Sequence, residues 1–284
     1  MIQVGQAYEL SVVKFLDFGA ILDAGELGEV LLPNRHTPED LLIGDLIKVF
    51  LYFDSEDRLV ATTQIPKVQV GEFAYLNVID RNQIGAFLDW GLDKDLLVPF
   101  AEQHVPMEEG HSYLVYVYRD KNDGRIVASA KIDKFIDDDE AHDFKPHEAV
   151  NLIIANTTEL GYKAIIEHHY WGVLYENEVF QRLSFGQSIK GFIKRVRDDG
   201  KIDLTLQGGQ VSRDKNATLI LNYLSQNQGF ANVHDKSAPK QIADLFGMSK
   251  GAFKKAIGGL YKQKVIRIEK DGIHLSQRQT YKKN

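Results

Sequence analysis

The chain has 284 residues, 44% of them hydrophobic and 26% charged, with no cysteine and a formal net charge of −6. This composition suits two to four small soluble domains, and it excludes disulfides, zinc–thiolate sites and thiol catalysis. No stretch approaches the ~20 apolar residues of a membrane span, and no basic segment followed by an apolar run opens the chain, so a cytoplasmic protein is expected.

The first elements are short strands, and they recur. Residues 1–66 read as strands at Tyr8 to Leu16, Ala20 to Leu22, Glu29 to Leu32, Leu46 to Phe53 and Arg58 to Thr62, separated by Gly, Pro, Asp and Asn. Val4-Gly5, Phe18-Gly19-Ala20, Leu32-Pro33 and Ile43-Gly44 return 66 residues later as Val70-Gly71, Ile84-Gly85-Ala86, Val98-Pro99 and Glu109-Gly110. Arg58-Leu59-Val60-Ala61 returns at a spacing of 67 as Arg125-Ile126-Val127-Ala128. The second unit accordingly reads as strands at Ala74 to Ile79, Gly85 to Asp89, Leu96 to Val98, Ser112 to Tyr118 and Arg125 to Ser129. Five short strands in about 65 residues predict a small antiparallel barrel. Both units are acidic: residues 1–66 carry 4 Lys/Arg and 11 Asp/Glu, and residues 67–149 carry 9 and 17.

Asp137-Asp138-Asp139-Glu140, with Ala141-His142-Asp143 after it, reads as a linker or solvated face rather than a metal site. A third and shortened unit follows. Its strands begin with Val150 to Ile154 and Lys163 to Glu167, and Trp171-Gly172-Val173-Leu174-Tyr175 mirrors Phe18-Gly19-Ala20-Ile21-Leu22. On that correspondence the interval from Gly172 to Gly186 is 14 residues against 25 in the first two units, as if the middle loop were cut by 11. Gly200-Lys201-Ile202-Asp203-Leu204 mirrors the last strand. Residues 150–209 are charge-neutral.

From Ser212 the alternation gives way to helical spacing. Leu219, Ile220, Tyr223 and Leu224 fall on one face. Pro239 suits an early helical position, with Ile242, Leu245 and Phe246 inward and Gly247 as the stop. Ser249 caps a third helix to about Gln263, with Phe253, Ile257, Leu260 and Tyr261 as its apolar stripe. Val265 to Glu269 and Ile273 to Leu275 read as a hairpin. Three helices and a hairpin predict a winged helix-turn-helix, and residues 210–284 carry 14 Lys/Arg against 5 Asp/Glu. The expected fold is mainly β with a C-terminal α+β domain. Three tandem five-stranded barrels occupy residues 1–66, 67–146 (acidic linker included) and 147–210, and the winged helix residues 211–284.

The barrel unit resembles the RNA-binding repeat of bacterial ribosomal protein S-one, an OB-fold module. The residues carrying this are Asp17-Phe18-Gly19-Ala20, Ile43-Gly44-Asp45-Leu46-Ile47-Lys48-Val49 and Asp57-Arg58-Leu59-Val60-Ala61-Thr62. The second unit supplies Gly85-Ala86-Phe87-Leu88-Asp89 and Asp123-Gly124-Arg125-Ile126-Val127-Ala128-Ser129-Ala130-Lys131. Three such units followed by a winged helix, with Tyr170-Trp171-Gly172-Val173-Leu174-Tyr175-Glu176-Asn177-Glu178 in the third, resemble the conserved virulence factor B family over nearly the whole chain. The resemblance implies RNA binding, a role in bacterial gene expression and no catalytic activity. No GxxxxGK loop or HExxH helix is present, and Gly247-Met248-Ser249-Lys250-Gly251 fits GxSxG only between two expected helices, not after the strand a nucleophile elbow needs.

An OB face holds single strands by stacking bases on rings while cations grip the backbone. The resemblance places the stacking ring before the glycine, at Phe18, Ile84 and Trp171. A second position three residues on falls at Ile21, Phe87 and Leu174. The basic residue opening the last strand falls at Arg58, Arg125 and Lys201, and a nearby acid at Asp54, Asp120 and Asp198. The family's middle-strand histidine has no counterpart, because Leu31-Leu32 and Leu97-Val98 stand there. Phe18 and Phe87 have an equally plain reading as barrel core. The third unit concentrates Tyr170, Trp171 and Tyr175, then Lys190, Lys194, Arg195 and Arg197. Strand alternation gives Lys190 and Lys194 one face and Arg195 and Arg197 the other. His168 and His169, as strand neighbours, point apart and do not co-ligate a metal. On the third helix and wing, Lys250, Lys254, Lys255, Lys262 and Lys270 form a basic surface suited to phosphate contact.

No cofactor or metal is expected. The expected partner is single-stranded RNA, with duplex nucleic acid at the winged helix and a ribosome or protein partner for the acidic half as further candidates. A DNA-binding regulator and a docking scaffold are the competing functions.

Overall fold

In the first barrel, apolar residues at alternate strand positions (Leu10, Val12, Ala20, Leu22, Val30, Leu32) are buried, so period-two patterning closes the sheet around them. Its strands are β1 (Ala7–Leu16), β2 (Gly19–Asp23), β3 (Glu29–Pro33), β4 (Leu46–Phe53) and β5 (Leu59–Thr62), closed in the order β1-β2-β3-β5-β4. The computed structural model describes residues 1–136, 143–176, 179, 182–206, 209–262 and 264–276, with backbone alone for 209–214. Asp137 to His142, Asn177, Glu178 and Gln263, which figure in the sequence reading, lie outside the described residues.

The second barrel repeats the first with β6 (Phe73–Arg81), β7 (Gly85–Leu88), β8 (Leu96–Pro99), β9 (Ser112–Arg119) and β10 (Ile126–Ser129). The third comprises β11 (Ala149–Thr158), β12 (Gly161–Ile166), β13 (Tyr170–Tyr175), β14 (Ser188–Val196) and β15 (Ile202–Thr205). Each first strand carries a bulge at the same place, between Val12 and Lys14, Val78 and Asp80, and Ile154 and Asn156. A bulge there bends the strand so that it can pair with both β-neighbours of a closed barrel.

Register corrects the third unit. Gly161 opens β12 as Gly19 opens β2 and Gly85 opens β7, pairing with Tyr175 as those pair with Pro33 and Pro99. A Cβ at Gly19, Gly85 or Gly161 would stand 2.2 Å from the carbonyl oxygen of Leu32, Val98 or Leu174, a close approach only glycine allows. Gly172 instead faces the barrel interior, against Leu204 and Ile166. The interval from Gly161 to Gly186 is 25 residues, equal to that in the other units, so the third barrel is full length. Trp171-Gly172 imitates Phe18-Gly19 in sequence but lies on the third strand.

The C-terminal region is a winged helix: α1 (Gly209–Gln226), β16 (Phe230–Ala231), α2 (Pro239–Phe246), α3 (Lys250–Lys262), β17 (Ile266–Ile268) and β18 (Ile273–Leu275), the sheet ordered β16-β18-β17. Gly247, at φ +63°, ends α2, and the Ser249 hydroxyl accepts from the Ala252 amide at 3.0 Å to cap α3. Ile220, Leu224, Ile242, Phe253, Ile257 and Leu260 form the core. Leu219 and Tyr261, expected inward, are exposed: each lies one position beyond the buried stripe. The chain divides into two compact units, Met1–Asp137 and Asp138–Asn284.

Candidate nucleic-acid interface

Along β13, Gly172 and Leu174 point into the third barrel, which turns Trp171, Val173 and Tyr175 outward. Register carries that face across four strands: Lys163 pairs with Val173, Val173 with Asp203, and Asp203 with Arg195. Lys163 Nζ lies 3.7 Å from the Trp171 ring centroid, a cation–π contact that fixes the ring. Asp203 has no solvent exposure although it sits on the outer face. Arg195 Nε donates to it at 2.6 Å, Arg197 Nε at 2.9 Å and the Tyr175 hydroxyl at 3.1 Å, while Arg197 also donates to that hydroxyl.

Burial alone raises the Asp203 carboxyl. The hydrogen bonds from Arg197, Arg195 and Tyr175 outweigh it and hold the group below the usual carboxylate range. One ionised carboxylate thus orders two guanidinium groups, leaving the face with a net positive charge. β14 has a bulge between Ile193 and Arg195 that β4 and β9 lack. It breaks the expected alternation and brings Lys194 Nζ to 5.6 Å from the Tyr175 ring, on the side of the arginines. The same places in the first two barrels hold apolar pairs, Tyr52 with Val60 and Tyr118 with Val127.

The remaining third-barrel candidates stand elsewhere. Tyr170 turns its ring edge-on to Phe144 at 5.4 Å and packs on the core. Lys190 pairs across strands with Asn151, and Lys201 is tied to Asp199 at 3.0 Å. The residue that matches Phe18 and Ile84 is Leu160, 61% exposed, whose carbonyl accepts from Glu176 N as theirs accept from Asn34 N and Phe100 N. His168, at φ +62°, lies in the β12–β13 turn rather than in a strand.

In the front unit, barrel two covers part of the corresponding face of barrel one. Trp90 meets Phe50 edge-on at 5.7 Å, and Asp93 pairs with Arg35 at 2.8 Å. Lys94 Nζ reaches the Asp54 carbonyl and the Asp57 carboxylate. Tyr52 and Val60 are consequently buried. Phe18 stays 60% exposed beside that face. Arg58 is engaged by Asp54 and Glu56, and Arg125 by Asp57 and Asp123. Phe87 is half-buried on barrel two.

On the winged helix, Lys254, Lys255, Lys262 and Lys270 are exposed, whereas Lys250 is half-buried with its Nζ on the Lys236 carbonyl. Tyr261 projects beside Lys254, with Gly258 between them on one face of α3.

Comparison with known proteins follows this architecture. A description as S1 domain matches residues 4–64 and 70–131, and one as CvfB-like winged helix domain matches residues 218–275. Protein YitL of Bacillus subtilis is 31% identical over 268 residues, covering 91% of this chain and 89% of YitL. The chain belongs to the conserved virulence factor B family. The Conserved virulence factor B of Staphylococcus aureus is 27% identical over 293 residues, covering 97% of this chain and 95% of that protein. A Streptococcus pneumoniae structure described as a multidomain protein with nucleic acid binding domains covers 96% of this chain and 98% of its own, at 24% identity and TM-score 0.40. S1 and winged-helix domains are nucleic-acid-binding domains, so this family member carries nucleic-acid-binding modules at both ends.

Within this family member the third barrel gathers Trp171, Tyr175, Arg195 and Arg197, each a candidate from sequence, and brings Lys194 to their face, where alternation expected it opposite the arginines. It adds Lys163 and Asp203, which were not candidates. The signal for Asp203 was available: an acid stands where Val60 and Val127 close the other last strands.

Proposed function

We propose that the protein is a non-enzymatic, cytoplasmic single-stranded RNA-binding regulator of bacterial gene expression, gripping the strand on the outer face of barrel three. The observation that carries this reading is the buried Asp203 aligning Arg195 and Arg197 beside Tyr175, with Trp171 and Lys163 on the same face. Rings accept any base by stacking, and ordered guanidinium groups accept phosphate, a combination that favours a flexible strand over a stiff duplex. The lysines of α3 and the wing extend the contact by charge, without base readout.

The exposed Lys254, Lys255 and Lys262 on α3 favour a second reading, duplex DNA binding by the winged helix. Competition separates the two: labelled single-stranded RNA on the full chain, challenged with unlabelled duplex DNA or RNA. The proposal expects RNA binding at low salt that weakens steeply with added salt and is displaced by RNA tenfold more readily than by duplex. Stronger displacement by duplex would favour the second reading. Capture of a ribosome or protein by the acidic half, persisting after nuclease, would favour a docking role.

A further inference from the structure

At the turn that leads into β4, barrel one points aliphatic side chains at solvent. Asp45 N donates to the Leu42 carbonyl at 3.2 Å, the Asp45 carboxylate accepts from Leu42 N at 2.9 Å, and Gly44, at φ +89°, supplies the left-handed residue the turn needs. Gly44 N donates to the Val12 carbonyl, as Gly110 N does to Val78 and Gly186 N to Ile154, so the three turns correspond residue by residue. Before each turn one side chain packs on the core: Leu41, Met107 and Leu183. The positions that follow are not core. Barrel two fills them with Glu108, Glu109 and Ser112, and barrel three with Ser184, Phe185 and Ser188. Barrel one fills them with Leu42, Ile43 and Leu46, which are 67%, 66% and 69% exposed.

Leu46 pairs with Ser11 of β1, and Val13, the bulged residue of that strand, is exposed as well, so the cluster joins β1 to the start of β4. Neither the turn nor the core asks for aliphatic groups here, since barrel two makes the same turn with glutamates. A contiguous apolar cluster with a polar rim marks an interaction surface. This rim is acidic. Glu39, Asp40 and Asp45 stand in the connection from Thr37 to Asp45, which has no Lys or Arg, and no ion pair engages them among the described residues. The bases on the adjoining strands have acids of their own: Lys14 pairs with Glu29 at 2.6 Å, and Lys48 stands across from Glu9. Carboxylates in such numbers repel RNA phosphates and anionic lipid headgroups alike.

We propose that this turn of barrel one is a docking surface for a protein partner that presents aliphatic side chains flanked by lysine or arginine. Leu42, Ile43 and Leu46 supply the dry centre of the contact, and Glu39, Asp40 and Asp45 a rim complementary to the partner's cations. A second copy of the chain bringing the same patch would set these carboxylates against one another. An acidic partner would meet the same repulsion, and a purely basic one would leave the aliphatic groups in water. The proposal does not rest on the barrel-three reading, because its residues lie on barrel one and its readout is protein binding without RNA.

Fluorescence anisotropy of three labelled amphipathic peptides, titrated with the full chain, tests it. One peptide is built of leucine and lysine, one has glutamate in place of the lysine, and one has serine in place of the leucine. The leucine–lysine peptide should bind saturably and at least tenfold more tightly than either control. Leu42→Glu with Ile43→Glu, which copies barrel two, should cost tenfold or more. Leu42→Ser with Ile43→Ser, which leaves the charge unchanged, should cost severalfold, whereas Ile65→Ser, at an exposed apolar residue outside the cluster, should change nothing. Glu39→Gln with Asp40→Asn should weaken binding severalfold and flatten its dependence on salt. Full affinity in both Leu42/Ile43 variants, or equal binding of the serine–lysine peptide, overturns the proposal. A concentration-dependent dimer in sedimentation, found in place of peptide binding and dissolved by Leu42→Glu with Ile43→Glu, gives the surface to a second copy and overturns the basic partner.

Discussion

A carboxylate shut off from water on the outside of a barrel stays ionised only because its partners repay the lost hydration. Asp203 has three, and two of them are arginines whose far ends reach solvent. Removing its charge while keeping its shape leaves Arg195 and Arg197 without a common anchor. Asp203→Asn should lower stability by about 3 kcal/mol, the low end for a broken buried pair because Arg195 can rehydrate, read as a shift in urea midpoint. The pH dependence has a definite sign. The folded-state carboxyl lies below its ordinary value of 3.8, so its contribution is complete above that value and is lost as pH falls through the depressed one. Asp203→Asn should therefore lose less stability than the parent between pH 4 and pH 2, and match its slope between pH 5 and pH 8.

At the scale of elements, two local departures build the site. The β14 bulge re-aims Lys194 toward Tyr175, and the Gly161 contact sets the β12–β13 register that turns Trp171 outward. Gly161→Val should displace the hairpin, because its side chain would overlap the Leu174 carbonyl and the Glu176 amide. Loss of the cooperative melt or a lowered Tm on calorimetry checks this. The bulge was invisible to alternation alone, since an extra residue in one strand changes no residue type. The strands themselves were legible because buried positions alternate with exposed ones, and the helix stop at Gly247 and the cap at Ser249 because turn chemistry admits few residues. The third barrel was misaligned because Trp171-Gly172 copies a motif whose cause, a backbone too close for a Cβ, lies at Gly161. On α3, Lys254→Ala with Lys255→Ala should reduce the slope of log affinity against log salt by about 2, evenly across RNA sequences.

At the scale of the molecule, charge and coverage point the same way. The first 149 residues hold 28 acidic against 13 basic groups, and the outer face of barrel one is partly covered by the Trp90–Asp95 segment of barrel two. Sequence revealed the repeats and the uneven charge. It could not reveal that the outer face of barrel one is covered, because that depends on which segment of barrel two lies across it. Under the proposed function, strand binding falls to barrel three and the winged helix, with the front pair contributing little through Phe18. Fluorescence anisotropy of a labelled single-stranded oligoribonucleotide at fixed low salt, comparing Trp171→Ala with Phe18→Ala in the full chain, tests this most directly. Loss of one stacking ring is worth ~1–3 kcal/mol, so Trp171→Ala should weaken binding about 5- to 150-fold while Phe18→Ala changes it less than twofold; the reverse order, or equal and negligible effects, would contradict the account.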